Sequence, residues 1–375
     1  VLRFFSKRLH KYFGAKICEN VNNTGFSRHC LLQYVLEPFL IESVSSSHQN
    51  QWQARELARI VGEFGYNIDV VGLSTQHIKL PRSYDLIIDV HPGLNDCYVQ
   101  NLNEGCKKIA YITGSNPDFS NRAEAKRLEE LSARRGSQLK QRRYAPVFDR
   151  KQMAGFDAMF FLGNDYNLAT YSDFNFKSVF KLQNTGVCNF DPAKYSGKTS
   201  RSFLFLASGG QVHKGLDLLL EVFSAHPELQ LYVCSSFKAE WDFCRLYRKE
   251  LFHTGNIHPV GFMSIESPQF QRICQECGYV ILPSCSEANA GSVLTGMAAG
   301  LVPMVSREAG FSARDVHYFP DCSLTSIAET VCEFARKSPV WLEQESQRVL
   351  QVVKEQYSHK NYSESVKSAL ESILL

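Results

Sequence analysis

The chain has 375 residues, of which 44% are hydrophobic and 21% charged, and a formal net charge of +3. This composition excludes a disordered polymer, and a balance so near neutrality excludes a wholesale nucleic-acid binder. No run of ~18 apolar residues exists, which excludes a transmembrane helix, and the length suits two domains of ~150–200 residues.

In chain order, residues 1–28 form a basic arm, VLRFFSKRLHKYFGAK and onward, too interrupted to be a clean signal peptide. It starts at Val1 rather than Met, which fits a piece of a longer chain. YVLEPFLI (34–41) reads as the first strand, followed by a polar loop with His48, Asn50 and Gln51. Leu57, Ile60, Val61 and Phe64 then fall on one face of a helix. NIDVVGL (67–73), YDLIIDV (84–90), KIAYIT (108–113) and DAMFFL (157–162) are short, continuous apolar runs between helical patterns. Strands buried on both faces of a parallel sheet have this appearance.

A polar, Pro- and Gly-bearing linker (188–201) follows, and the alternation restarts with FLFLA (203–207), LQLYVC (229–234), NIHPV (256–260), YVILP (279–283) and VPMVS (302–306). The tail from Trp341 is helical by pattern. The reading is α/β: two tandem doubly wound Rossmann-like domains, 29–187 and 202–356, facing a central cleft. A C-terminal helix (357–375) is expected to return to the N-terminal domain. Ligands of such sheets bind beyond the carboxyl ends of the strands.

Twelve cysteines without regular spacing suit a reducing cytoplasm better than a disulfide scaffold. Cys274 and Cys277 form one CxxC, but a structural zinc site needs a second pair, so buried thiols are expected and no metal.

Chemistry concentrates in PSCSEANAGSVLTGMAAGLVP (283–303). A strand delivers Glu287, and small residues lead into a helix whose first N–H groups favour an anion such as phosphate. Two readings fit Glu287: an acid that holds sugar hydroxyls beside a phosphate pocket, or a solvated loop acid or cap. A second stretch, FLFLASGGQVHKGLDLLLEVF (203–223), is strand, Gly-Gly loop, helix. There Gly209 and Gly210 allow close approach, and Lys214 either neutralises a diphosphate or is a surface lysine after a turn.

Together, the Lys214–Gly215 turn, the PVGF turn (259–262) and the LPS…E…MAAG…P run resemble the nucleotide-sugar domain of GT-B glycosyltransferases. The likeness is to the retaining family 4 (glycosyl transferases group 1), over about Phe203 to Val305. It implies that Lys214 contacts the donor diphosphate and Glu287 the donor sugar. The amides of Gly291, Ser292 and Val293 would hold phosphate and sugar, with Gly261, Phe262 and Asn289 also on the donor side. It further implies retention of configuration, no metal, and no cofactor beyond a nucleotide-diphospho-sugar donor.

Two positions depart from the family. Its second acid, which grips the ribose, is Thr295 here, and its arginine five residues before the lysine is Gly209.

In the N-terminal domain, His91 follows a strand and is a candidate catalytic residue of the cleft. His48, Asn50, Ser115 and Asn116 are candidates for the acceptor side, the acceptor being a glycan, lipid or small molecule. The basic region 126–151 reads as a solvated helix face or as a surface for anionic lipid or an anionic acceptor. The expected function is glycosyl transfer, cytoplasmic or at the inner face of a membrane, in cell-surface polysaccharide or glycolipid synthesis. The rivals are a non-catalytic GT-B-like module, motivated by Gly209 and Thr295, and a sugar-nucleotide epimerase.

Overall fold

The computed structural model describes residues 17–42, 49–73, 78–90, 92, 97–188, 190 and 197–375. The N-terminal half contains β1 (Ile17–Cys18), β2 (Arg28–Tyr34), β3 (Tyr66–Gly72), β4 (Tyr84–Asp89), β5 (Leu102–Ile112), β6 (Ala158–Leu162) and β7 (Ser178–Leu182). They form one sheet in the order β1-β3-β2-β4-β5-β6-β7, parallel except for β1 against β3.

The C-terminal half contains β8 (Thr199–Leu206), β9 (Gln230–Cys234), β10 (Ile257–His258), β11 (Cys277–Leu282), β12 (Val302–Val305) and β13 (His317–Tyr318). These run in the order β10-β9-β8-β11-β12-β13, parallel throughout. The chain order reverses between β2 and β4 in one sheet and between β8 and β11 in the other, where doubly wound sheets form their ligand crevices.

The first core strand is not 34–41 but Arg28–Tyr34, inside what the sequence reads as arm and approach. Pro38 has no N–H for a ladder, so the chain leaves the sheet after Tyr34 and turns through a 3-10 element, Glu37–Phe39. β7 went unread because it is a largely exposed edge, SVFKL, with a lysine in place of an apolar run.

The helical tail is two helices, Pro339–Gln356 and His359–Leu374, with Ser358 capping the second through Asn361 N–H at 3.2 Å. The second helix lies in the N-terminal core, with Tyr362, Val366 and Leu370 fully buried. Its His359 stacks on Trp52 of helix Gln49–Glu63 at 3.7 Å between ring centroids, and Tyr362 Oη bonds Tyr111 Oη at 2.9 Å.

Part of the basic region is engaged in contacts between the domains. Helix Pro117–Arg135 and the strap after it lie against the C-terminal domain. Arg134 pairs with Asp217 at 2.7 Å, Arg135 with Glu250 at 2.5 Å and Glu221 at 3.2 Å, and Arg142 with Asp242 at 2.5 Å. Buried Arg127 donates to Pro283 O at 3.1 Å. These four arginines join the two domains, while Lys126, Lys140, Arg150 and Lys151 of the same region are exposed.

Among the described residues no two cysteines form a disulfide. Cys274 and Cys277 are buried, and burial pushes both thiols well up. Among the described residues, the group with three potential metal ligands in reach of one another is His226, Glu228 and Cys332, away from that CxxC. Among the described residues no helix is long and apolar enough to cross a membrane.

Candidate functional site

β8 and β11 are neighbours, and the loops at their carboxyl ends carry Lys214 and Glu287. The turn after β8 tightens through Lys214 N–H to Gly210 O (2.9 Å) and ends on Gly215 at φ +78°, which caps helix Leu216–Ala225. A Cβ on Gly215 would lie 2.5 Å from Pro283 O. Only a glycine lets the two strand ends approach this closely.

The consequence is a buried ion pair between Lys214 Nζ and Glu287 Oε1. Ser284 Oγ donates to the same oxygen at 3.2 Å, and His213 Nε2 lies 3.7 Å away. That nitrogen donates to Ser286 O at 2.6 Å, and His213 Nδ1 is 3.5 Å from the buried carboxylate of Glu124. Burial alone would raise the pKa of Glu287. Lys214, then Arg143 and His213, outweigh it and hold the carboxyl at about 2. Glu287 is therefore an anion at neutral pH, able to accept hydrogen bonds from hydroxyls.

Helix Gly291–Ala298 starts beside this pair. Val293 N–H is taken up by Ala290 O at 3.0 Å, so among the described residues Gly291 and Ser292 offer the outward-facing amides; the Val293 side chain is core. Thr295 Oγ donates back to Gly291 O at 3.0 Å, and Gln49 Nε2 reaches Gly291 O at 3.1 Å and Thr295 Oγ at 3.5 Å. The start of helix Gln49–Glu63 thus meets this helix through Gln49. Asn50 lies in helix Gln49–Glu63, its buried Oδ1 without a hydrogen bond among the described residues. His48 and His91 lie outside the described residues.

Several expected residues are occupied structurally. Asn289, at φ +39°, donates to Gly310 O and receives Asn184 N–H at 3.4 Å, so its amide locks the loop rather than facing the cleft. Asn116 caps helix Pro117–Arg135 by accepting Asp118 N–H at 2.9 Å. Gly210 N–H, expected to approach phosphate, donates to Glu240 at 2.6 Å. Gly209 is open, with Glu240 3.6 Å from where its Cβ would be. Ser115 does reach the site: its hydroxyl lies 3.4 Å from Glu287 O and receives Asn167 Nδ2 at 2.9 Å. Gly261 and the exposed Phe262 follow β10, two strands from β8, roughly 10 Å away at ~4.8 Å per strand.

Ser115, Arg143, His213 and Glu287 line a cavity of about 190 Å³ between the domains. A larger cavity of about 1130 Å³ lies between helix Pro117–Arg135 and residues 306–324; neither Lys214 nor Glu287 lines it. The sequence reading missed Gln49, Arg143, Asn167, Asn184 and His213. His213 was detectable as the neighbour of Lys214. The others carry no local signal, because distant segments bring them in.

No protein-family model and no curated protein matches the chain. Solved structures do. Sucrose-phosphate synthase from Thermosynechococcus elongatus superposes with a TM-score of 0.60 at 10% identity, over 92% of this chain and 99% of that one. Anabaena HepE, solved with UDP and glucose, gives 0.56 at 9%, over 92% and 100%. TarM of S. aureus, solved with UDP, gives 0.54 at 12% over 77% of this chain, which spans about half (55%) of TarM's length. The fold is therefore that of the GT-B glycosyltransferases: two Rossmann-like domains with parallel sheets facing each other.

Proposed function

We propose that the chain is a glycosyltransferase that moves a sugar from a nucleotide-diphospho-sugar to a glycan, lipid or small-molecule acceptor. The observation that carries this reading is the Lys214–Glu287 pair, placed where β8 and β11 end and beside the open amides of Gly291 and Ser292. A cation and two amides suit the charge that develops on a departing nucleoside diphosphate. An ionised carboxylate suits sugar hydroxyls, whose capture orients the anomeric carbon. The 190 Å³ cavity is smaller than the ~300–1,000 Å³ of a site that encloses a whole drug-sized ligand; it fits the sugar end, with Gly261 and Phe262 on the base side. Ser115 contributes from the acceptor-side domain. Retention of configuration and metal independence follow from the family 4 resemblance of the motifs and belong to this proposal, as does a role in cell-surface polysaccharide or glycolipid synthesis.

A non-catalytic module is the second reading, favoured by Gly209, by Thr295, and by Glu240 occupying the Gly210 amide. Titration of UDP, GDP and ADP and their sugars into wild type and Lys214→Ala, by calorimetry and thermal shift, separates the two. Saturable binding of one diphosphate, abolished in Lys214→Ala, supports the transferase. The absence of binding by wild type overturns it in favour of the module.

A further inference from the structure

The loop after β8 presents a charge problem. A nucleoside diphosphate brings two or more negative charges, yet Lys214 is already neutralised by Glu287. Position 209 is glycine, and the Gly210 amide already donates to a buried carboxylate, Glu240. The loop after β8 therefore offers little uncompensated positive charge of its own to the phosphates.

Arg143 lies over that loop. Its side chain rests on Gly210: a Cβ there would sit 2.5 Å from Arg143 Cγ and 2.9 Å from Cδ, so a glycine at φ +83° is what admits the arginine. Its main chain is fixed. Arg143 N–H donates to Glu124 Oε2 at 3.0 Å and Arg142 N–H to Glu124 Oε1 at 2.8 Å, and Glu124 is buried beneath them beside His213. The neighbouring Arg142 is anchored on Asp242 at 2.5 Å. Whereas Arg127, Arg134, Arg135 and Arg142 all engage the opposite domain, among the described residues the Arg143 guanidinium has no hydrogen-bond or ion-pair partner. It lines the cavity that holds His213 and Glu287.

We infer that Arg143, a residue of the N-terminal domain, is the second diphosphate-binding cation of the site, reaching across the cleft to the place that Gly209 leaves uncharged. This rests on the nucleotide-sugar reading above. A guanidinium presents parallel N–H donors that match phosphate oxygens in bidentate geometry. Its position on the domain opposite Lys214 makes the diphosphate a bridge between domains, so the phosphates are gripped only when both are in place.

The test is calorimetric titration of wild type, Arg143→Ala, Arg143→Lys and Lys214→Ala with UDP, GDP and ADP and with the matching monophosphates. For the diphosphate that wild type binds, Arg143→Ala loses about tenfold or more in affinity, the size of a charged hydrogen bond. Monophosphate binding changes by less than about threefold, so preference for the diphosphate collapses. Arg143→Lys recovers part of the loss, because it restores charge without the fork. If Arg143→Ala binds the diphosphate as wild type does while Lys214→Ala does not, the assignment of Arg143 is overturned and the donor reading stands. If wild type binds none of the nucleotides, both fall. Arg143→Ala leaves an exposed position without its side chain, so its thermal midpoint stays within about 1 °C of wild type; a larger drop assigns the residue a structural role and overturns the inference.

Discussion

Gly215→Ala is expected to be among the most damaging single-methyl changes in the C-terminal domain. The residue sits at φ +78° and ψ 23°, a conformation that costs an L-residue ~1–2 kcal/mol. The added Cβ also meets Pro283 O at 2.5 Å, Pro283 Cγ at 2.8 Å and Pro283 C at 3.1 Å. Two of those atoms are backbone at the end of β11, so relief requires the strand ends to part, at ~1–3 kcal/mol for overpacking. The sum is about 2–5 kcal/mol, and at ~2–4 °C per kcal/mol for a domain of this size the unfolding midpoint falls by roughly 4–20 °C. Gly209→Ala is the control. Its new Cβ meets Glu240 at 3.6 Å, an ordinary contact, and the expected change is within ~0.5 kcal/mol. Thermal unfolding of the three proteins side by side decides it. Equal midpoints for Gly215→Ala and Gly209→Ala would refute the argument that close approach of β8 and β11 demands this glycine.

Glu287 sets a pH dependence. Its folded pKa of about 2 lies below the ordinary 4.5, so its contribution is fully present above about pH 4.5 and is lost as pH falls through 2. Wild type is expected to exceed Glu287→Gln in stability at neutral pH, with the gap shrinking as pH falls through 2; a pH series of paired melts checks the trend, and a constant gap contradicts it. Trp52→Ala removes the ring stacked on His359, so hydrogen exchange in 359–374 accelerates at least tenfold while the C-terminal sheet keeps its protection. Unchanged exchange in that helix would show that the stack does not hold it in place.

The fold was legible where burial on both faces writes a continuous apolar run, as in YDLIIDV and YVILP, which became β4 and β11. Elements of marginal burial left no such mark: β7 is an exposed edge, and β1 and β13 are two residues each. The positions of Lys214 and Glu287 at the strand ends were legible because strand, tight turn and helix place each one locally. The hydrogen bonds of Asn289 and Asn116 were not legible, because a polar residue in a Gly-rich loop is equally suited to locking that loop, capping a helix or facing a ligand. Arg143 was not distinguishable within its basic run, since charge spacing does not reveal which cation pairs with acids and which lines the cavity.

The helix His359–Leu374 has a consequence for the order of assembly. It fills the N-terminal core with Tyr362, Val366 and Leu370, yet the ribosome delivers it only after the entire C-terminal domain, a delay on the order of ten seconds or more at ordinary elongation rates. During synthesis the first domain therefore waits as an unfinished half with an apolar groove open over helix Gln49–Glu63. The second domain can close on its own core in that interval, so the domain translated second is the one completed first, and the emerging protein depends on its environment to keep that groove from finding another partner.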